Sequence, residues 1–366
     1  MTLRSYIEKT WNQNILFSAL VELTYRCNLD CFFCYNDLGL EGRPLDDAQY
    51  FRLFEDLAAL QVMNLTFTGG EPLSHPSFLD YGRRARELGF VVRIKSNGHA
   101  FRGRLAERIR EEVDPFLVEV SLHGARAETH DQQTRVPGSF DRLLANLLEM
   151  RQLGLRVKLN STLTRWNEDE VEAMFAIADR LGVRLSITPT VTPRDDGDTS
   201  PLTIRASDDG IRNLYRLLDA RYPDPEDSTG GTSEDLSGTC TGEKLVGQKN
   251  CGAGASGIAV DPYGNVYPCV QWRRPLGNLH EQRVGDIWGA SPELGTIREL
   301  NVAAKTKVAN LGSQAEGMAH CLGLSEEKTG DPLAIDPDAL HNTQLLHQVQ
   351  AEKRTRGSHP KLPILS

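Results

Sequence analysis

Seven cysteines are the first residues in this chain with chemistry to offer. Three of them lie within eight residues, as Cys27-Asn-Leu-Asp-Cys31-Phe-Phe-Cys34, and the others are Cys240, Cys251, Cys269 and Cys321. At this cysteine frequency a C-x3-C-x2-C spacing arises by chance only about 0.003 times per chain, so it asks for a cause. Thiolates are soft ligands, and three on one loop suit either zinc or an iron–sulfur cluster. A structural zinc site closes its tetrahedron with four ligands, whereas a cubane on three cysteines leaves one iron open. An odd count without an apolar amino-terminal signal fits a disulfide framework badly, and points to metal or reactive chemistry in a reducing, cytoplasmic setting.

The elements that must hold these cysteines follow from periodicity. Residues 16–23 read as a buried strand running straight into the cysteine loop. Helical spacing of Tyr50, Leu53, Phe54, Leu57 and Leu60 follows, then a strand at 63–67. The alternation continues with helices at 76–88, 101–112, 139–153, 168–181 and 206–221, and strands at 90–95, 116–122, 156–161 and 184–189. Strands alternating with helices predict βαβ units and a parallel sheet, and six such pairs are too few for a closed eight-fold barrel, which leaves an open partial barrel or a doubly wound sheet. The expected division is an amino-terminal segment at 1–15, the α/β unit at 16–221 and a polar linker at 222–250 that carries Cys240. A small α+β unit at 251–335 and a helix with a basic tail at 336–366 complete it. Within the small unit, 256–268 reads as a β-hairpin turning at Asp261 to Asn265.

Composition narrows the function classes. Across 366 residues the net charge is −9, from 41 Lys and Arg against 50 Asp and Glu, which disfavours bulk nucleic-acid binding by phosphate neutralisation. No window approaches 18 consecutive apolar residues, which excludes a membrane-spanning helix. A second motif, Gly69-Gly70-Glu71-Pro72, directly follows the second strand. Its glycines permit close approach of another group, its carboxylate can accept bonds from an ammonium, and Pro72 fixes the following turn.

Taken together, Cys27-x3-Cys31-x2-Cys34 and Gly69-Gly70-Glu71-Pro72 within βα repeats resemble the radical S-adenosylmethionine (radical SAM) superfamily, over roughly residues 16–200. The resemblance implies a partial (βα)6 barrel in which Cys27, Cys31 and Cys34 hold a [4Fe–4S] cluster whose fourth iron chelates S-adenosylmethionine. It also implies that Gly69, Gly70, Glu71 and Pro72 lie against the methionine moiety and Phe33 against the adenine. Asn97, Ser121 and Arg135 would lie near the ribose or carboxylate, while His123 stands where many relatives carry aspartate. The implied chemistry is reductive cleavage of S-adenosylmethionine to a 5′-deoxyadenosyl radical that abstracts a substrate hydrogen, with a flavodoxin- or ferredoxin-type electron donor.

The later cysteines resemble the SPASM and twitch extensions of that superfamily, through Cys251 and the Gly264-Asn-Val-Tyr-Pro-Cys269 run, Leu276-Gly-Asn-Leu and Ile287-Trp288. The dense cysteine run of a full SPASM extension is absent. The resemblance therefore implies a single auxiliary [4Fe–4S] cluster on Cys240, Cys251, Cys269 and Cys321, with a four-cysteine zinc site or one free thiol as alternatives. Enzymes of this architecture often mature ribosomally made peptides. Only some 15 residues precede the first strand, so a leader-binding protein, if needed, would be separate. Val270 replaces the aspartate of sulfatase-maturing relatives, and four ligating cysteines would leave no thiol to quench a peptidyl radical. The expected reaction is therefore oxidative crosslinking or side-chain oxidation of a precursor peptide. The alternatives are a radical enzyme acting on a sugar, cofactor or tetrapyrrole precursor, and a zinc-stabilised binding scaffold. Trp272-Arg273-Arg274 reads either as substrate-facing or as a solvated edge.

Overall fold

The computed structural model describes residues 3–37, 39–222 and 248–357, so Cys240 and most of the expected linker lie outside the described residues. Six parallel strands form one sheet in sequential order: β1 (Ser18–Thr24), β2 (Asn64–Gly69), β3 (Val91–Ser96), β4 (Leu117–Ser121), β5 (Val157–Thr162) and β6 (Arg184–Thr188). Helices return the chain between them, so all six strands end at the same edge, the edge where α/β folds bind ligands. This is the parallel α/β sheet expected from periodicity, in the sequential order of the partial barrel that the resemblance implies.

Local chemistry explains the first crossover. Pro44 and Asp46 open α2 (Asp47–Ala59), where Asp46 and Gln49 form a reciprocal capping box. Its apolar stripe buries Tyr50, Leu53, Phe54 and Leu57, and the Tyr50 ring packs 4.7 Å from Tyr81 of α3 (Phe78–Glu87). The helix expected at 101–112 is α4 (Gly103–Arg108), continuing into a π turn at Ile109–Val113 that ends on Asp114 in the left-handed region, φ 44°. Up to residue 221, two helices escaped the periodicity reading: α1 (Leu3–Gln13) and α5 (Ala127–Thr134). The buried side of α5 is polar, being Thr129, His130, Gln133 and Thr134, so it carries no apolar stripe to read. After it run α6 (Ser139–Gln152), α7 (Val171–Leu181) and α8 (Asp208–Arg221).

The carboxy-terminal third joins the same sheet. The hairpin falls where expected, as β7 (Gly257–Val260) and β8 (Asn265–Tyr267) around a turn held by the Asp261 carboxylate. However, β7 pairs in parallel with β1, and the short β9 (Gly277–Asn278) extends the order to β6-β5-β4-β3-β2-β1-β7-β8-β9. One apolar core runs from Leu185 of β6 through β1 to Ile287 and Leu345. The segment beyond β9 forms α9 (Val284–Ala290) and α10 (Pro292–Asn310). Then come α11 (Leu322–Thr329), whose first residue follows Cys321, and α12 (Pro337–Gly357).

Candidate functional site

The cysteine loop leaves β1 and is gripped from three sides. From α5, the carbonyls of Thr134 and Gln133 accept bonds from the Asp30 and Phe32 amides, at 3.1 and 3.0 Å. From the residue directly after β3, Asn97 Nδ2 donates to Asn28 Oδ1 at 2.8 Å and lies 3.6 Å from Cys27 Sγ. From the segment after β6, Arg194 Nη2 donates to the Phe32 carbonyl at 3.3 Å and the Asp195 amide to Tyr35 at 2.7 Å. Arg135 sits at the end of α5 with φ 56°, pairs with Asp30 at 3.1 Å and stacks 4.8 Å over Phe32. It braces the loop from outside.

All three thiols of the loop are unpaired by disulfides. Burial raises the pKa of Cys27, Cys31 and Cys34, and repulsion from the neighbouring thiolates adds to the first two. The three sulfurs therefore share one electrostatic neighbourhood, and a metal would have to displace their protons to bind.

The Gly-Gly-Glu-Pro turn lies against the root of this loop. Gly70 and Glu71 donate their amides to the carbonyls of Thr24 and Arg26, at 2.7 and 2.9 Å. Gly69 has φ +128°, and a Cβ there would stand 2.3 Å from the Thr24 carbonyl oxygen. A Cβ on Gly70 would stand 2.5 Å from the Arg26 carbonyl oxygen. The glycines thus admit the backbone that leads to Cys27, a tighter constraint than the ligand approach expected from sequence. Asn36 Nδ2 returns from the far end of the loop to the Gly69 carbonyl at 3.0 Å.

Glu71 is engaged within the chain. Its carboxylate, 1% exposed, accepts from the amides of Leu73 and Asn97 at 3.1 and 2.9 Å and from Ser96 Oγ at 2.9 Å. It caps the short turn that begins at the buried Pro72 and ties β2 to β3, instead of extending toward the solvent edge. Burial outweighs these bonds and raises its pKa from 4.5 to about 7. The folded chain therefore holds a proton that the unfolded chain releases. Its stabilising effect is complete below about pH 4.5 and is lost as pH rises through 7. Glu71→Gln should abolish this slope and cost about 1–3 kcal/mol, because one amide N–H then faces a backbone donor. Urea midpoints of the two proteins across that pH range provide the check, and parallel curves would refute the assignment.

Phe33 and the end of β4 form the next wall. Ser121 ends β4, and two residues on His123 packs its ring 4.6 Å from that of Phe33. His123 is 6% exposed; its carbonyl accepts from Gln133 and Asn167, and its amide donates to His130 Nδ1 at 3.1 Å. Burial, then the neighbouring His130, lower its pKa to about 3, so the ring is neutral. Its Nδ1 has no partner among the described residues, and neither has the buried Oε1 of Gln133. Unsatisfied buried polar atoms beside Phe33 are a place for a polar ligand, and three free thiols lie on the adjoining loop. The residues present therefore fit a cluster with a polar cofactor.

Cys251, Cys269 and Cys321 make a second cysteine group, with Cys240 outside the described residues. Burial raises the pKa of Cys251 to about 11 and of Cys321 to about 12, with repulsion from Cys269 contributing to both. Asn301 of α10, wholly buried, holds the loop: Oδ1 accepts from the Cys251 amide at 2.9 Å and Nδ2 donates to the Ala253 carbonyl at 3.0 Å. Lys249 Nζ reaches the Trp11 carbonyl at 2.9 Å, which fastens α1 beside this loop. A Cβ on Gly323 would stand 2.0 Å from the Gln271 carbonyl oxygen, so α11 is pressed against the turn after Cys269. Among the described residues no group of three or more His, Cys, Asp or Glu side chains is arranged to hold a single metal ion. No helix among them is long and apolar enough to cross a membrane.

A six-stranded parallel half-barrel with a three-cysteine loop after β1 and a Gly-Gly-Glu turn after β2 defines an enzyme class, and the sequence matches its pattern. Residues 21–178 match the radical SAM superfamily and residues 251–312 the SPASM iron–sulfur cluster-binding domain. The chain is 32% identical over 349 residues to mycofactocin maturase MftC of Mycolicibacterium smegmatis, covering 93% of this chain and 87% of that protein. It is 25% identical to the AdoMet-dependent heme synthase of Methanosarcina barkeri, covering 87% of this chain and 95% of that protein. Among solved structures, Streptococcus suis SuiB bound to precursor peptide SuiA superposes with TM-score 0.67 at 14% identity, over 92% of this chain and 78% of SuiB. The chain belongs to the radical SAM superfamily and carries a SPASM domain. Its cofactors are S-adenosylmethionine, a [4Fe–4S] cluster and auxiliary iron–sulfur chemistry.

Proposed function

We propose that this enzyme oxidatively matures a ribosomally made peptide, with Cys27, Cys31 and Cys34 holding the cluster that binds S-adenosylmethionine. Together these groups supply one-electron cleavage of the sulfonium and abstraction of a substrate hydrogen atom. The chain's own residues position them. Asn97 and the Leu29 amide, 3.4 Å from Cys27 Sγ, soften the charge on that sulfur. The Gly69–Gly70 backbone presents the turn, while Glu71 anchors it from behind. Phe33 and the neutral His123 offer an apolar face and one open nitrogen for the nucleoside. Ser121 stands at the adjoining strand end. Cys251, Cys269 and Cys321 hold the auxiliary cluster, and Cys240 is the proposed fourth ligand.

The observation that carries the peptide reading is the 32% identity across nearly the whole chain to a maturase. A PqqA peptide cyclase of Ruegeria pomeroyi, 29% identical over 87% of this chain, points the same way. A second reading, oxidation of a tetrapyrrole precursor, is supported by the heme synthase match. Anaerobic incubation with S-adenosylmethionine, reductant and a precursor peptide from a neighbouring reading frame separates them. We expect peptide-dependent 5′-deoxyadenosine and a peptide lighter by two hydrogen atoms. Release of 5′-deoxyadenosine that depends on a porphyrin and ignores every candidate peptide would replace the first reading with the second.

A further inference from the structure

Between the two cysteine centres lies a buried charged network that neither centre requires for its ligands. Arg273, four residues after Cys269, sends a bidentate fork to Glu22 of β1, with Nη1 and Nη2 at 2.8 and 2.9 Å from the carboxylate oxygens. Its Nε donates to Asp195 at 2.9 Å, and its guanidinium lies 5.2 Å over the Tyr267 ring. The Glu22 side chain is wholly inaccessible, and those of Arg273 and Asp195 are each 19% exposed. Of the sequence alternatives for this residue, the solvated edge is thus replaced by an internal clasp. Its neighbour Trp272 is buried as well, at 3% exposure.

Each partner of Arg273 leads to the first cysteine loop. Glu22 accepts from Tyr25 Oη at 3.0 Å, two residues before Cys27. The Asp195 amide donates to the Tyr35 carbonyl, one residue after Cys34, and the adjoining Arg194 holds the Phe32 carbonyl. The other end is equally fixed, since Cys269 and Trp272 form a β-bridge and the N-terminus of α11 presses on Gln271. One guanidinium therefore spans both flanks of one cysteine loop and the turn that carries the other. We propose that Arg273 is the positioning residue that holds the auxiliary-cysteine turn and the Cys27–Cys34 loop in one register and balances the charge between them.

Lysine cannot reproduce this, because a point charge on a flexible stem lacks the planar fork that meets two carboxylates at once. Removing the cation leaves two carboxylates against one another in a site with little water. The inference rests on both cysteine sets binding clusters, and the test reports on that separately. The full-length chain and its Arg273→Lys, Arg273→Met and Glu22→Gln/Arg273→Met variants are reconstituted anaerobically with iron and sulfide. Iron content, redox titration followed by electron paramagnetic resonance, and amide exchange over residues 25–37 are then measured. Arg273→Met should lower the midpoint potential of the cluster on Cys27, Cys31 and Cys34, and the double variant should restore it. Exchange over 25–37 should rise several-fold in both the lysine and methionine variants.

Unchanged potential and exchange in Arg273→Met at wild-type iron content would overturn the proposal. If that variant fails to fold, Asp195→Ala, which removes one bond and keeps the fork to Glu22, decides by the exchange of 32–35, with no change again overturning it. A wild-type chain that takes up only one cluster would sink the reading beneath it. Exchange of the metal-free chain would then still decide whether Arg273 couples the two loops.

Discussion

Gly69→Ala is expected to destabilise the chain by about 3 kcal/mol or more and to prevent iron uptake at the first site. Two penalties combine: a β-carbon at φ +128°, and a contact of 2.3 Å with the Thr24 carbonyl oxygen. Backbone cannot yield as a flexible side chain does, so the displaced group is the Thr24–Arg26 segment. That segment also accepts the Gly70 and Glu71 amides and leads directly to Cys27. Damage to the turn after β2 is therefore transmitted to the three-cysteine loop after β1. Urea unfolding of the metal-free chain and iron content after anaerobic reconstitution measure the two effects. A variant with the wild-type midpoint and full iron would show that the turn is not the clamp described here.

Cys31→Ala is expected to remove one cluster's iron and to bring S-adenosylmethionine cleavage below detection, while leaving the fold intact. The Cys31 side chain makes no hydrogen bond that the loop depends on; the loop is held by the backbone of Asp30 and Phe32 and by Asn97 and Arg194. Loss of the sulfur therefore costs ligation and little packing. Cys321→Ala should behave in the opposite way, sparing the first cluster and losing the auxiliary one. Iron analysis and 5′-deoxyadenosine release on both variants provide the comparison. Retention of cleavage in Cys31→Ala would end the assignment of that loop.

Much of this organisation was legible because it is local. The cysteine spacing and the glycine pair are contiguous motifs, and each strand and most helices carry their own periodicity. Helix α5 was invisible for the same reason: its buried residues Thr129, His130, Gln133 and Thr134 are polar, and their burial is justified only by partners elsewhere in the chain. Yet this helix supplies two carbonyls that hold the cysteine loop. Asn301 gave no signal either, since an asparagine within a helical stretch reads as surface until the Cys251 loop is folded against it. Glu71 was found by its motif, but its partners Ser96 and Asn97 lie one strand away, and only their approach turns the carboxylate into an internal tie.

Sequence by itself determined which residues can do chemistry here. The number and spacing of thiols, the glycines beside them and the alternation of strand with helix are all properties of short stretches of chain. Tertiary structure alone decided how the two cysteine centres are joined. β7 adds in parallel to β1 although more than 200 residues separate them, and Arg273 closes on Glu22 across the same distance. Hydrogen-bonding edges and buried charges have no preferred partner in sequence. They acquire one only when the fold brings a complementary group within about 3 Å and excludes the water that would otherwise compete for it.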